Sequence, residues 1–501
     1  MSNASVLPRS LYRNRHRQDY NTEMKPALEL SADEREPMDP TLTFWGAASS
    51  VSGSMHILES GKTRLLFDCG LHQGKREDAR QRNSHFPFHP EQMDSVIVSH
   101  AHIDHCGNLP TLCRHGYRGP IYCTPPTRDL LRVMLRDSAK IQEEEAGHLN
   151  IARNYAEPLV QPLYTFPDVE RVLQQAVSVP YGKETEVGRD VSFRFSEAGH
   201  ILGSALIHAK CKGPNGTRTL TFSGDLGRRG MPLLKQASAV PAGDLLICES
   251  TYGNRQHEPI AGTVTKLYET VNRTIERGGK VLIPAFSLGR SQLIVHFLQQ
   301  GIRQNLLRKA PIFVDSPLAA DIADVYRAHP NALEPEVAEY VREGHGILGG
   351  DGVTYTRSFE ESNRLMALSG PAIIIASSGM CDAGRIQGHL KQHVDDPRAT
   401  VILVSFQAQG TTGRRLLEQK PTVKFLGKEW NKWIEVVHLE GFSGHADKSD
   451  FLSYLSPLVG QVAKVRLIHG EREQSLALAD TLRELGFTDV AVPEPGDRVP
   501  L

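Results

Sequence analysis

Residues 95–110 read SVIVSHAHIDHCGNLP. The β-branched apolar run predicts a buried strand, and the cluster after it holds His100, His102, Asp104 and His105. Residues i and i+2 of an extended chain point the same way, so the first two histidines can face one cation together. After a turn, the aspartate and the third histidine can face a second one. The alternatives are a polar loop or chance. One loop cannot complete two sites, so a metal site would need ligands from other strand ends.

Three further candidates follow strand-like segments and lie beside glycine, which lets the backbone approach closely. They are His200 in FSEAGHILGSA, Asp225 in LTFSGDLGRRG and His469 in KVRLIHGERE. Each of them alone is more often an ordinary surface or core residue. Their joint occurrence with the first cluster indicates a metal site built from imidazole and carboxylate, a ligand set that suits zinc.

This set of residues, in this order, resembles the ligand set of the metallo-β-lactamase superfamily. The resemblance implies an α/β fold, an αββα sandwich with a two-metal site at one edge. It implies that one zinc is held by His100, His102 and His200. A second zinc would be held by Asp104, His105 and His469, with Asp225 as the bridge. Manganese is an alternative metal.

Asp68, at the end of the strand RLLFDCG, matches an earlier aspartate of the superfamily that orients the histidine loop. The alternative for Asp68 is a turn-forming residue. Two metals close together can generate a hydroxide near neutral pH. The constellation therefore favours hydrolysis over redox chemistry.

A second resemblance, to the β-CASP nucleases, begins at Glu249 in LLICESTYGNRQH. A long insertion follows before His445 in GFSGHAD and His469, and these three residues match the extra motifs of that family. The resemblance implies an α/β β-CASP domain inserted in the sandwich. The expected domains are a tail at 1–41, a metallo-β-lactamase part at 42–252, a β-CASP domain at 253–436 and a return segment at 437–501.

The resemblance also implies catalytic roles. His445 is a suitable general acid for the leaving oxygen, since imidazole titrates near neutrality, and Glu249 would accept a hydrogen bond from it. Asp104 and Asp225 complete the expected catalytic set. The alternative for His445 is a polar residue at the start of a helix that Ser443 or Asp447 caps.

The segment ASSGMCDAGRIQGHL follows an apolar strand and precedes a helix. Backbone N–H groups at a helix start bind phosphate well. Phosphate contacts are therefore expected from Ser377, Ser378, Gly379 and Arg385, with Arg290 as a further backbone contact. The alternative is a tight strand-to-helix turn.

The RNA-cleaving members of the family keep a histidine at the third motif, whereas DNA-processing members tend to have valine. His469 therefore favours RNA, and a cleft between two domains favours a single strand. The alternatives are a DNA nuclease, a small-molecule ester or lactone hydrolase, and an RNA-binding subunit without activity. The sequence leaves open whether cleavage is internal or from an end.

Composition agrees with this interpretation. The chain has 501 residues and a net charge of -1, so no global basic field indicates duplex binding. No apolar run reaches the ~18 residues of a membrane span. Seven cysteines without a C-x-x-C pair favour a reducing compartment, with the cytoplasm as the expected location. The N-terminal tail is expected to be disordered, and homodimers are common in the family.

Overall fold

The structure, a computed structural model, describes residue 36 and residues 38–501 except 344, 351 and 419. The predicted tail at 1–41 therefore lies mostly outside the described residues. The first strand begins at Met38, shortly before the boundary expected at residue 42. None of the helices within the described part of the chain is long and apolar enough to cross a membrane.

The first sheet has seven strands in the order β22-β1-β2-β3-β4-β5-β6. Strands β3, β4, β5 and β6 are mutually parallel, whereas β1, β2 and β22 are antiparallel to their neighbours. The strands are β1 (Met38–Gly46), β2 (Met55–Gly61), β3 (Thr63–Phe67), β4 (Ser95–Ile97), β5 (Ile121–Cys123), β6 (Ala176–Ser178) and β22 (Arg498–Pro500).

The second sheet also has seven strands, in the order β21-β20-β11-β10-β9-β8-β7. Strands β10, β11 and β20 are parallel, so their carboxyl ends lie at one edge. The strands are β7 (Thr185–Val187), β8 (Val191–Glu197), β9 (Ala205–Gly213), β10 (Gly216–Phe222), β11 (Gly243–Glu249), β20 (Val462–Ile468) and β21 (Val490–Ala491).

A third, parallel sheet of six strands lies in the inserted part of the chain, in the order β14-β13-β15-β12-β16-β19. Its last strand runs past the domain boundary expected at 436. The strands are β12 (Lys280–Pro284), β13 (Ile312–Asp315), β14 (Val353–Tyr355), β15 (Ala372–Ala376), β16 (Thr400–Leu403) and β19 (Glu435–His438), and β17 (Thr422–Phe425) and β18 (Lys428–Asn431) form a separate hairpin.

Helices cover the outer faces of the sheets. Their apolar positions recur at helical spacing, and the apolar side packs inward. In the sandwich they are α1 (Arg76–Ser84), α2 (Ile103–Cys106), α3 (Leu109–Arg114), α4 (Pro125–Ala152), α5 (Phe166–Gln175), α13 (Lys448–Leu455) and α14 (Arg472–Leu485). In the insertion they are α6 (Ile260–Glu276), α7 (Arg290–Arg303), α8 (Pro317–Ala328), α9 (Pro335–Arg342), α10 (Phe359–Met366), α11 (Ile386–His393) and α12 (Thr412–Leu417).

The first two sheets pack face to face over a buried apolar layer. Leu58 and Phe67 of the first sheet meet Phe193, Phe222 and Ile247 of the second in this layer. Alternation along each strand directs these side chains inward. One apolar cluster lies under α13 and α14 on the outer face of the second sheet. A larger cluster joins the outer face of the first sheet to one face of the inserted sheet, and another covers the opposite face of the inserted sheet.

The packed sheets bring several strand ends together at one edge of the sandwich. Asp68 follows β3, the histidine cluster follows β4, Asp225 follows β10, Glu249 ends β11, and His469 follows β20. Gly70 allows the loop after β3 to reach this edge, because a Cβ at that position would lie 1.7 Å from the backbone oxygen of Asp104. The fold thus brings together polar residues that are far apart in the sequence.

Candidate metal centre

The first ligand group joins the histidine loop to the turn between β8 and β9. The Nε2 atom of His100 lies 3.1 Å from Nδ1 of His102. That Nδ1 lies 3.2 Å from Nε2 of His200. With Asp225, these residues place one potential ligand atom each within 4.8 Å of one another. This is the first of the two sets that the resemblance implies.

The second group consists of Asp104 and His105, both on the short helix α2, and His469 after β20. Their ligand atoms also lie within 4.8 Å of one another. Nε2 of His469 is 3.4 Å from Oδ2 of Asp104. Five of these seven residues are buried, whereas His102 and Asp104 are partly exposed, so the ligands are shielded from solvent except on the side of these two residues.

Asp225 lies between the two groups. Its Oδ2 is 3.5 Å from Nε2 of both His100 and His200, and its Oδ1 is 3.2 Å from Nε2 of His105 and 3.5 Å from Nδ1 of His469. Among the described residues, Nε2 of His105 and Oδ1 of Asp225 are buried without a hydrogen-bond partner. Buried polar atoms are normally satisfied. The donor set therefore fits a pair of divalent cations with a bridging carboxylate.

The protonation states of the first ligand group favour metal binding. In the second group, burial opposes a charge on His105, but Asp225 and Asp68 hold its pKa above the ordinary value. Burial, and then the neighbouring histidines, hold the pKa of His100 and of His200 well below the ordinary value. Burial also lowers the pKa of His102 to about 4. Burial opposes the charge on Asp225, but the surrounding histidines overcome it and hold the pKa of that carboxyl low. Neutral imidazoles and an ionised carboxylate are the forms that bind a metal.

Asp68 holds the histidine loop. Its Oδ2 lies 2.7 Å from Nδ1 of His105, and its Oδ1 accepts the backbone N–H of Ser99 at 2.8 Å. The hydroxyls of Ser54 and Ser99 also donate to it. A carboxylate on the far nitrogen of a ligand histidine fixes the tautomer and the direction of the ring. The structure therefore gives Asp68 the surroundings that its expected orienting role requires.

Other orienting contacts were not predicted from the sequence. The hydroxyl of Thr251 lies 3.1 Å from Nδ1 of His469, and the backbone oxygen of Gly444 lies 3.2 Å from Nδ1 of His200. In the sequence, only the position of Thr251 next to the Glu249 motif could have indicated its contact with His469. The contact from Gly444 is made by its backbone carbonyl. Every residue has this group, so the sequence does not indicate the contact.

His445 lies beside this centre. Its Nδ1 is 3.1 Å from Oε1 of Glu249 and 3.9 Å from Oδ2 of Asp225. Glu249 is wholly buried and also accepts the backbone N–H of Leu226 at 2.7 Å. Burial opposes a charge on His445, but the charge and hydrogen bond of Glu249, together with Asp225, raise its pKa to about 9. These carboxylates therefore favour the protonated form of the ring.

The expected phosphate loop faces the same cleft, but it is not a helix start. β15 ends at Ala376 and α11 begins only at Ile386, so Ser377, Ser378 and Gly379 lie in the loop between them. The loop is closed by a hydrogen bond from the backbone N–H of Ser378 to the oxygen of Ala383 at 3.1 Å. Only Arg385, at the N-cap of α11, lies at the helix start. Phosphate binding by Ser377, Ser378 and Gly379 therefore stays a prediction for the loop.

The two arginines have internal partners. Nη1 of Arg385 donates to Oδ1 of the fully buried Asp315 at 2.7 Å, and its Nη2 donates to the backbone oxygen of Arg357 at 3.0 Å. Nη1 of Arg290 donates to the backbone oxygen of Val404. Both residues line the cleft, but part of each guanidinium is already used within the fold. Their role toward RNA stays a prediction.

A cleft of about 870 Å³ connects these features. The sandwich contributes His102, Asp104, His200 and His445 to its wall, and the insertion contributes Ser377 and Ser378. Apolar side chains also line it, among them Leu233, Leu288, Phe286 and Phe406. The metal centre is therefore open to a ligand from the side of the inserted sheet.

Comparison with known proteins agrees with this architecture. Three family models match the chain: a beta-lactamase superfamily domain at residues 63–252, a Beta-Casp domain at 291–416 and a Zn-dependent metallo-hydrolase RNA specificity domain at 434–493. A ribonuclease of Thermus thermophilus, TTHA0252, is 38% identical over 458 residues, which cover 91% of this chain and 99% of that protein. The chain belongs to the β-CASP family of the metallo-β-lactamase superfamily.

A protein with a different printed function is also similar. The transcription termination factor FttA of Methanocaldococcus jannaschii is 32% identical, over 90% of this chain and 70% of that protein. A solved protein of unknown function from Enterococcus faecalis has a TM-score of 0.52 at 14% identity, over 93% of this chain and all of that one, which supports the fold alone. The predicted family, fold class and metal-dependent nucleic-acid hydrolase activity are thereby confirmed.

Proposed function

We propose that this β-CASP protein hydrolyses phosphodiester bonds of single-stranded RNA with two zinc ions and a histidine general acid. One observation carries the proposal: Asp225 contacts the histidines of both ligand groups, and His445 lies 3.9 Å from that carboxylate while paired with Glu249. Two cation sites that share a carboxylate beside an imidazole acid are an arrangement that can hydrolyse phosphodiesters. The ribonuclease name of the Thermus relative supports RNA as the substrate.

Seven residues would hold the cations, with Asp225 shared between His100, His102 and His200 on one side and Asp104, His105 and His469 on the other. Imidazole and carboxylate ligands suit zinc, and manganese is the second candidate. When bound, two such cations supply a nucleophilic water at neutral pH and polarise the phosphoryl oxygens. Burial keeps the histidines of the first group neutral, so protons compete little with the metal for their ring nitrogens.

His445 performs the proton transfer in this proposal. Its Nδ1 is held by Glu249, which leaves Nε2 to donate a proton to the leaving oxygen. Glu249 is a positioning residue, because it keeps the ring oriented and charged without touching the substrate. The side chain of His445 is 22% exposed and lines the cleft, so a substrate can reach it.

The loop at 377–379 would hold a phosphate next to the one being cleaved. The hydroxyl of Ser377 lies 2.7 Å from that of Ser287 and 3.0 Å from that of Ser316. Hydroxyl groups can rotate to donate to a phosphate oxygen. Arg290 and Arg385 would add positive charge to the cleft and hold its shape through their internal hydrogen bonds.

Two alternatives fit the same centre, a DNA nuclease and a small-molecule ester or lactone hydrolase. A cleft of about 870 Å³ that extends to the inserted sheet favours a polymer over a small ester. The RNA specificity domain matched at 434–493 includes both His445 and His469 and favours RNA over DNA. An RNA substrate agrees with the expected cytoplasmic location. A homodimer stays a prediction that light scattering would test.

The test is a denaturing-gel assay with 5′-end-labelled single-stranded RNA. The zinc-loaded wild type and His445→Ala would be compared with and without a chelator, beside single-stranded DNA and an ester substrate. We expect wild type alone to cleave RNA, and the chelator to abolish cleavage. Internal fragments would identify an endonuclease, and mononucleotides an exonuclease. Turnover of DNA or the ester in place of RNA would contradict the proposed substrate while leaving the metal centre intact.

A further inference from the structure

Two aromatic side chains stand half-exposed inside the cleft. Phe286 is 44% exposed and Phe406 is 52% exposed, and both line the cleft that contains the metal centre. Phenylalanine gains roughly 1.5–3 kcal/mol when it is fully buried, so leaving two of them open on a wall of an active-site cleft is unfavourable unless a ligand covers them. Neither ring is used in the proposed chemistry.

Their place in the sheet relates both rings to the phosphate loop. β15, β12 and β16 are adjacent parallel strands, so their carboxyl ends lie at one edge of the sheet. Ser377 follows β15, Phe286 follows β12 and Phe406 follows β16. Neighbouring strands are about 4.8 Å apart, so the three positions span on the order of one to two nucleotides.

Specific contacts hold each aromatic residue against the loop. A Cβ built on Gly379 would lie 3.2 Å from ring atoms of Phe286, so the absence of a side chain there lets the ring approach the loop. The backbone oxygen of Phe286 accepts hydrogen bonds from the N–H and the hydroxyl of Ser291. Gln407, next to Phe406, donates to the backbone oxygen of Gly379 at 3.0 Å. These contacts hold the backbone next to both aromatic residues and place the ring of Phe286 against the loop.

We propose that Phe286 and Phe406 stack on unpaired bases of the RNA whose phosphate lies on the loop at 377–379, and that they select single strands. The inference rests on the proposed ribonuclease function and names the residues that give it strand selectivity. Every base has a π-face, so stacking accepts any sequence. Bases in a duplex are already stacked on one another and cannot open onto a side chain without unpairing.

The test compares the zinc-loaded full chain with Phe286→Leu and Phe406→Leu on single-stranded RNA. We expect each variant to raise KM about 5- to 150-fold, the equivalent of about 1–3 kcal/mol per stacked base, with kcat changed less than KM. Phe286→Tyr and Phe406→Tyr keep an aromatic ring and should keep KM near wild type. The matched control is Phe359→Leu, since Phe359 is 72% exposed and does not line the cleft.

A second measurement uses RNAs with one abasic ribose moved stepwise along the strand. Wild type should show a raised KM at two positions, and each leucine variant should lose the sensitivity at one of them. Unchanged KM in both leucine variants, or equal losses on intact and abasic RNA, would overturn the stacking role while the ribonuclease proposal stands. A wild type that cleaves no RNA would instead overturn the proposed function, and the stacking role with it.

Discussion

Nδ1 of His445 lies 3.1 Å from Oε1 of Glu249, although 196 residues separate them in the sequence. Glu249 is wholly buried at the end of β11, and His445 precedes α13 in the return segment. The inserted sheet is built from the chain between these two residues. The pairing therefore joins the two parts of the sandwich that flank the insertion. It also holds the imidazole in the wall of the cleft.

Replacing His445 with alanine should abolish cleavage and leave the metal in place. Loss of a general acid typically costs about 10²- to 10⁴-fold in rate. His445 belongs to neither of the two groups proposed to hold the metals, and only to a third cluster with Asp225 and Glu249. The measurement is kcat together with zinc content by elemental analysis. The control is His345→Ala, because His345 is exposed and stacks on Tyr340 outside the cleft. Cleavage at the wild-type rate would exclude His445 as the acid.

Glu249→Gln should move the alkaline limb of the pH–rate profile to lower pH. Burial lowers the pKa of His445, but Glu249 raises it to about 9, and a general acid must be protonated to act. Activity is therefore present below this pKa and is lost as pH rises through it. Without the carboxylate charge the loss begins earlier, so the variant should be impaired more near pH 8 than near pH 6. A uniform loss at every pH would indicate a purely structural role for Glu249.

The histidine loop could be predicted from the sequence because residues close together in the chain set its geometry. The spacing of His100, His102, Asp104 and His105 is set by one loop and one helical turn, and the structure places them in two groups as expected. The other ligands follow strand ends, where parallel strands bring their carboxyl termini to one edge. Their partners were assigned by family resemblance, since spacing alone gives no contact between distant strands.

The insertion was harder to predict, because its contacts join distant residues. Nothing in the sequence around Arg385 indicates that its guanidinium binds Asp315, which lies 70 residues earlier. Asp315 also binds His389 at 2.6 Å and Ser362 at 2.7 Å, so it organises a buried polar network. The glycines after β15 are also compatible with a tight turn into a helix. In the structure, a longer loop runs to Arg385 before the helix begins. Loop length is set by such tertiary contacts more than by residue type.

Asp225→Asn should reduce the zinc content from two ions per chain to at most one and lower kcat by at least about 10³-fold. An amide has one acceptor oxygen where the carboxylate has two, so it cannot serve both groups. Elemental analysis after dialysis gives the stoichiometry. The matched control is Asp480→Asn, since Asp480 is exposed on α14 and pairs only with Arg483 in the described structure. Retention of two tightly held ions would exclude the bridging role.

Asp68→Asn should weaken zinc binding about 10- to 100-fold without removing any ligand. The carboxylate of Asp68 accepts from Nδ1 of His105 at 2.7 Å and fixes the ring. An amide can present either its oxygen or its nitrogen, so the ring is held less well. The measurement is competition with a chromogenic chelator. Restored activity at high zinc concentration is expected, and an affinity equal to wild type would contradict the role of Asp68.

His56→Leu should stabilise the fold, and more so at acidic pH. His56 lies in the sandwich core between the rings of Phe44 and Phe222, at centroid distances of 5.4 and 5.6 Å. Both of its ring nitrogens are buried without a hydrogen-bond partner among the described residues. An unsatisfied buried polar group costs roughly 1–3 kcal/mol, and leucine fills a similar volume without that cost.

The pH dependence follows from the same burial. Burial, with the nearby His105 and His469, lowers the pKa of His56 from 6.5 to about 3 in the folded state. Between these values the unfolded chain binds a proton that the folded chain does not, so wild type loses stability as pH falls below 6.5. At about pH 5.5 this group alone costs on the order of 1 kcal/mol. Other buried histidines titrate equally in both proteins, so their effect cancels. Thermal midpoints near pH 5.5 and near pH 8 should show a larger gain for His56→Leu at the lower pH, with His345→Leu as the exposed control, and a gain that shrinks on acidification would refute this account.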